Sequence, residues 1–138
     1  MNLAKLLKEK IKNEKRAFNS DELLEIMNQL NKAFKVMREK KIIHRDLKLE
    51  NILIKYEDKE KKKYTIKLAD YGCSKRLDSL SRNYCNTHAG TIQYMAPEIL
   101  NNKKEYNYKC DLWSIGIIIY RLKFILSPFP GVTEKAKI

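Results

Sequence analysis

Two oxygen-bearing side chains bracket a stretch that reads as a β-hairpin. Asn51 immediately precedes a strand pattern at Ile52–Tyr56, and Asp70 immediately follows a second at Tyr64–Ala69. Antiparallel pairing of the two strands brings the amide oxygen and the carboxylate to the same open end. Two hard oxygen ligands side by side suit Mg²⁺, which takes one or two carboxylates together with phosphate oxygens rather than a full protein cage. Asp46 lies five residues before Asn51, on the loop entering that end, and can reach the same space as a general base or orienting acceptor. Lys48, two residues later, offers a point charge for a phosphate. Taken singly, each residue has a plainer reading: Asn51 as a strand-entry cap, Lys48 as a surface lysine, Asp70 as a turn former.

The elements that must hold these residues are mostly helical, since Gly and Pro are scarce. Leu3, Leu6, Leu7 and Ile11 recur at helical spacing with Lys between them and predict a short amphipathic helix. A second helix starts at Asn19, an N-cap residue with Glu22 three positions on, while Phe18 and Leu23 occupy the hydrophobic-staple positions. Leu23, Met27, Leu30, Phe34 and Met37 then predict its core stripe. The charged stretch Glu57–Lys63 turns the hairpin, and its Lys59–Lys63 run reads as a solvated loop. Residues 70–97 hold no sustained period and predict a long loop. From Asp111 to Leu126 apolar residues fall on every side, which predicts a central helix buried all round, ended by Pro128 and Pro130.

Composition narrows the setting. The chain has 138 residues, the size of one domain or part of one, with 43% hydrophobic and 33% charged residues, as in folded soluble proteins. The net charge of +12 comes from 29 basic residues of which only six are Arg. Nucleic-acid recognition favours Arg forks interleaved with aromatics, so a nucleic-acid partner rests on net charge alone and is not expected. Cys73, Cys85 and Cys110 match neither a zinc pattern nor an even disulfide framework and read as reduced thiols. No apolar stretch reads as a secretion signal or a membrane span, so the expected location is the cytosol, with no membrane partner.

The chemistry-bearing residues lie in a recognisable order. HRDLKLEN at residues 44–51, DYG at 70–72, GTIQYMAPE at 90–98 and DLWSIG at 111–116 resemble the ordered motifs of the eukaryotic-type serine/threonine protein kinase family. Four motifs in the right order and spacing make the plain readings of the individual residues untenable together. The resemblance spans essentially the whole chain and implies one partial kinase domain over residues 1–138. Its fold class would be α+β, a mainly α-helical C-lobe with a short β-hairpin and the N-lobe absent. Such a piece runs from after the hinge between lobes to the start of the helix following the buried central one.

By that resemblance, Asp46 accepts or orients the substrate hydroxyl proton, Lys48 neutralises the transferring phosphoryl group, and Asn51 with Asp70 holds Mg²⁺, with ATP as the phosphoryl donor. His44 and Tyr71 are implied to be packing residues, although Phe is usual where Tyr71 stands. Asp111 is implied to anchor the backbone of the HRD loop as well as capping its helix. Lys48 and Thr91 match kinases acting on Ser and Thr of protein substrates, Thr91 beside Asp46 and Lys48, and Glu50 resembles a residue that receives a basic side chain upstream of the target. Arg45 and Lys75 are expected to face the 70–97 loop as a basic pocket, with Thr87 as the phosphorylated hydroxyl among Ser79, Ser81, Thr87 and Thr91. No glycine-rich loop or strand lysine for the nucleotide occurs in these residues, so the chain alone is expected to be inactive. The alternative is a non-catalytic interaction module or a truncated remnant.

Overall fold

The computed structural model describes residues 1–58, residue 60, and residues 63–76, 91–101 and 107–130. It is a mixed structure of helices and two small sheets.

Helix α1 (Leu3–Glu14) starts where the Asn2 side chain accepts the Lys5 amide at 3.0 Å, and it ends at Lys15 in the left-handed conformation. Leu3 and Leu7 bury its apolar face. Helix α2 (Ser20–Glu39) opens with the capping box expected from the sequence. Asn19 Oδ1 accepts the Glu22 amide at 2.9 Å, and Glu22 Oε2 accepts the Asn19 amide at 2.8 Å. Phe18 and Leu23 are both buried beside it. The core stripe differs from the expected one by a residue: Ile26 is fully buried, whereas Met27 is 43% exposed. Both positions lie within a turn of Leu23 and Leu30, so periodicity alone cannot choose between them; the location of the hairpin does.

Strands β2 (Ile52–Asp58) and β3 (Lys63–Leu68) form the antiparallel hairpin, with Ile52 opposite Leu68 and Tyr56 opposite Tyr64. Ile52, Ile54 and Ile66 bury one side. Gln29 of α2 docks the hairpin: its Oε1 accepts the Ile66 amide at 2.8 Å and its Nε2 donates to the Tyr64 carbonyl at 3.0 Å. A second sheet pairs β1 (Ile42–Ile43) with β4 (Lys75–Arg76). Part of the stretch read as loop is therefore a two-residue strand, too short to leave a period.

After a short helix α3 (Pro97–Leu100) comes α4 (Lys109–Phe124), which ends at Ile125 in the left-handed region with its amide on the Arg121 carbonyl. The expectation of burial on all sides needs correction. Cys110, Asp111, Ser114, Ile117, Ile118 and Leu122 are buried, but Leu112 and Phe124 are each 54% exposed. Trp113 is 37% exposed and stacks on Phe129, with ring centroids 5.7 Å apart. Apolar composition shows which faces a helix can bury; the described neighbours cover one of them. That face joins α1, α2 and the hairpin in the main core through Leu3, Ile26, Leu30, Leu47, Ile52, Ile118 and Leu122. Each such side chain contributes roughly 1.5–3 kcal/mol when fully buried.

Candidate active site

Helix α4 organises the site from below. Asp111, in its first turn and 3% exposed, accepts the amides of His44 at 2.8 Å (Oδ2) and Arg45 at 2.9 Å (Oδ1). Burial pushes the Asp111 carboxyl up, against the lowering effect of those two amides. One turn later, Ser114 Oγ donates to the Tyr94 carbonyl at 2.8 Å. The same helix thus fixes both the loop carrying Asp46 and the segment carrying Thr91.

Two backbone positions sharpen the turns. Arg45 (φ 69°) and Asp70 (φ 62°) both lie in the left-handed region, sparsely populated by residues other than Gly. Arg45 turns the chain so that Asp46 points inward, and Asp46 is buried. Its carboxylate accepts four hydrogen bonds. Oδ1 accepts the Thr91 amide at 2.9 Å and the Thr91 hydroxyl at 3.0 Å, while Oδ2 accepts Lys48 Nζ at 2.8 Å and Asn51 Nδ2 at 3.2 Å. Asn51 Nδ2 also donates to the Asp46 carbonyl at 2.9 Å, and Lys48 Nζ to Thr91 Oγ1 at 3.2 Å. Burial raises the Asp46 carboxyl, but the hydrogen bonds from Lys48 and Thr91 outweigh it and hold the group below the usual carboxylate range. The bond to Asp46 raises Lys48 in turn, with smaller help from the charges of Glu50 and Asp70. An ionised acceptor and a charged ammonium therefore share one hydroxyl between them.

The hairpin brings in the remaining oxygen donors. The Ala69 amide donates to the Asn51 carbonyl at 2.9 Å, extending the ladder one step past Ile52 and Leu68. Asn51 and Asp70 consequently sit at the same end. Asp70 is exposed; among the described residues it accepts a long bond from the Gly72 amide, 3.4 Å, and takes no part in the hydrogen bonds around Asp46. With Asn51 Nδ2 directed to Asp46, the amide oxygen is the atom left for a cation. One amide oxygen and one exposed carboxylate fit Mg²⁺ shared with phosphate oxygens. Among the described residues no three His, Cys, Asp or Glu side chains gather into a metal cage.

The Arg45 guanidinium donates to the carbonyls of Cys73 and Ser74. Lys75 lies on β4 opposite Ile43. Thr87 lies outside the described residues, as do Ser79 and Ser81. His44 packs against Tyr71, with ring centroids 4.8 Å apart, and its Nε2 meets the Ala69 carbonyl at 3.0 Å. Sequence reasoning missed Ser114 and Gln29. Both are polar residues on helices whose partners lie 20 to 37 residues away; Ser114 falls inside the DLWSIG motif, but nothing local names its partner, and no local signal marks Gln29.

All 138 residues match the family described as the protein kinase domain. The chain belongs to the eukaryotic-type protein kinase family. Among similar proteins, the kinase chain is 34% identical over 125 residues to a probable serine/threonine-protein kinase nek3 of Dictyostelium discoideum, covering 91% of the chain and 11% of that protein. It is 37% identical over 121 residues to serine/threonine-protein kinase 33 of Bos taurus, covering 86% of the chain and 25% of that protein. Over 104 residues it is 43% identical to serine/threonine-protein kinase atg1 of Dictyostelium discoideum, covering 74% of the chain and 14% of that protein. The kinase chain thus spans about a tenth to a quarter of the length of these relatives.

Proposed function

We propose that these residues form the helix-rich catalytic lobe of a serine/threonine protein kinase, which transfers the γ-phosphoryl group of ATP to hydroxyls of protein substrates. The observation that carries this reading is the closed network of Asp46, Lys48, Asn51 and Thr91, assembled by residues up to 45 positions apart. In it, the Thr91 hydroxyl donates to Asp46 and accepts from Lys48, the same pair of bonds an attacking hydroxyl would make. An incoming substrate hydroxyl would give its hydrogen bond to the ionised Asp46 carboxylate, which orients it and receives its proton as the oxygen attacks. Lys48 would balance charge on the transferring group. Asn51 and Asp70 would hold Mg²⁺, which would supply positive charge to offset that of the phosphates.

The glycine-rich loop and strand lysine that cover a nucleotide do not occur in these 138 residues. Catalysis of this kind is mostly positioning and charge stabilisation, so this chain by itself transfers little phosphate. Radiolabel transfer from ATP to a basic protein tests the proposal. The chain joined to the nucleotide-holding lobe of a related kinase should be active, and Asp46→Asn should abolish that activity. Absence of transfer from the joined protein would support the non-catalytic alternative instead, and equal transfer by the Asp46→Asn protein would remove Asp46 from the mechanism.

The exposed Glu50 beside Asn51 favours substrates with a basic residue upstream of the target hydroxyl. Thr87 is proposed as the activating phosphorylation site, its phosphate of about −1.5 to −2 charges received by the basic pocket of Arg45 and Lys75. A loss of activity in Thr87→Ala, absent from Ser79→Ala and Ser81→Ala, is the expected result. A cytosolic setting accords with the free thiols of Cys73 and Cys110. No helix among the described residues is long and apolar enough to cross a membrane.

A further inference from the structure

One half-buried cation stands beside the Asp46 network without a carboxylate of its own. Arg121 lies on α4 seven residues after Ser114, so about two helical turns put both side chains on one face. They hold Tyr94 by its two ends. Ser114 Oγ donates to the Tyr94 carbonyl at 2.8 Å, and Arg121 Nη1 donates to the Tyr94 hydroxyl at 2.5 Å. The guanidinium carbon also lies over the Tyr94 ring, 5.3 Å from its centroid. The same hydroxyl takes a hydrogen bond from the Leu49 amide, whose neighbours in the chain are Lys48 and Glu50. One buried ring, three residues beyond Thr91, therefore ties both segments around Asp46 together and brings Arg121 up against them.

The charge of that corner is unbalanced. Arg121 takes part in none of the ion pairs among the described residues. Its hydrogen bond among them uses Nη1 and leaves the Nε and Nη2 donors of the fork without a partner there. Burial pushes the Tyr94 hydroxyl up, the charge of Arg121 opposes that and the charge of Glu50 adds to it, so both charges reach one ring. Glu50 is exposed and forms no ion pair with Arg121, so neither charge is cancelled by contact. A guanidinium drawn partly out of water with no anion against it carries a cost that a bound anion relieves.

We propose that Arg121 is a specificity-determining residue of the phosphoryl-transfer site: it receives an acidic side chain, carboxylate or phosphate, borne by the protein substrate within a few residues of the target hydroxyl. The inference rests on the phosphoryl-transfer reading given above. A substrate whose hydroxyl reaches Asp46 lays its neighbouring residues along the two segments that surround that carboxylate, residues 48–51 and 91–94. Arg121 is held against both through the Tyr94 hydroxyl. Its planar fork matches the paired oxygens of a carboxylate or a phosphate. An uncharged side chain would leave the guanidinium unpaired, and a cation placed there would meet a like charge. The basic residue assigned to Glu50 and the acid assigned to Arg121 are then different positions of one substrate.

The test is kcat/KM for a set of peptides with the protein joined to a nucleotide-holding lobe. Each peptide carries one target serine, and alanine, glutamate, phosphoserine or arginine is placed in turn at each nearby position. At one position glutamate or phosphoserine should raise kcat/KM by about tenfold over alanine, the scale of a hydrogen bond to a charged group. The better of the two identifies the anion as carboxylate or phosphate. Arg121→Gln, which can still donate to Tyr94, should erase that advantage, and Arg121→Glu should transfer it to the arginine peptide. Lys32→Gln removes an exposed cation from α2 and should leave the ratio intact, which separates Arg121 from the general attraction of a chain with net charge +12. No acid advantage at any position, an advantage that survives Arg121→Gln, or one that Lys32→Gln erases as well would overturn the proposal. Failure of every peptide to accept phosphate would instead strike the phosphoryl-transfer reading. Fluorescence anisotropy of the 138-residue chain with labelled glutamate and alanine peptides then decides for Arg121. Tighter glutamate binding that Arg121→Gln removes would uphold it as the acid-receiving residue, and equal binding of the two peptides would overturn it.

Discussion

The Thr91 hydroxyl donates to Asp46 Oδ1 at 3.0 Å, closing a gap of 45 residues. Because it also receives Lys48 Nζ at 3.2 Å, it holds the acid and the ammonium in fixed relation. Thr91→Val keeps the shape and the backbone amide bond but removes both hydroxyl bonds. In the protein joined to a nucleotide-holding lobe, phosphate transfer should fall by about 10²-fold, the scale of a misplaced catalytic group. Thr91→Ser should retain most of the activity, and steady-state kcat for the two variants makes the comparison.

Asp111 should matter more to stability than its charge suggests. Asp111→Ala leaves the His44 and Arg45 amides without their acceptor, and a buried orphaned donor costs about 1–3 kcal/mol. Asp111→Asn keeps one acceptor oxygen and should lose roughly half as much, again on the scale of a single orphaned donor. Urea denaturation midpoints of the two variants should rank Asn above Ala, both below the parent.

The acid limb of stability has an identifiable contributor in Glu22. Burial opposes its ionisation, but hydrogen bonds from Arg16, Lys10 and the Asn19 amide outweigh that and hold the carboxyl at about 2, against an ordinary 4.5. Because the folded value lies below the unfolded one, its stabilisation is complete above about 4.5 and is lost as pH falls through about 2. The melting-temperature gap between the parent and Glu22→Gln should be constant near neutral pH and close progressively across that window. Asp111 runs the other way: its raised carboxyl favours the fold below the ordinary 3.8 and loses that contribution as pH climbs through the raised value.

Ile26 and Met27 separate the two ways of reading α2. Ile26→Ala should cost about 2–5 kcal/mol as a buried truncation, whereas Met27→Ala, at a surface site, should stay within about 0.5 kcal/mol. Thermal denaturation of the pair gives the answer directly, and comparable losses would mean that the helix is rotated from the orientation described.

Local chemistry explains what was legible without coordinates. The Asn19–Glu22 capping box, the Leu3–Ile11 spacing of α1 and the hairpin all depend on residues within a few positions of one another, so their types and spacing suffice. The hairpin also carries a tertiary consequence in its own register, which is why Asn51 and Asp70 could be placed at one end from strand boundaries alone. Asp46, Lys48 and Asn51 were readable because they occupy one short loop.

Only the tertiary structure decided the rest. Whether Ile26 or Met27 enters the core, and which side of α4 is covered, depends on where other elements lie, and an apolar residue carries no record of its neighbour. The carbonyl contacts of Arg45, the Gln29 clamp and the Ser114 tether join polar groups whose residue types are ordinary and whose partners are remote. The Tyr94 ring is the extreme case: Leu49, Ser114 and Arg121 reach it from the HRD loop and from α4 and share no spacing with it in the sequence. The charges of Glu50 and Arg121 act on that one ring only once the loop and α4 are packed, because Coulomb interactions depend on distance in space and not along the chain.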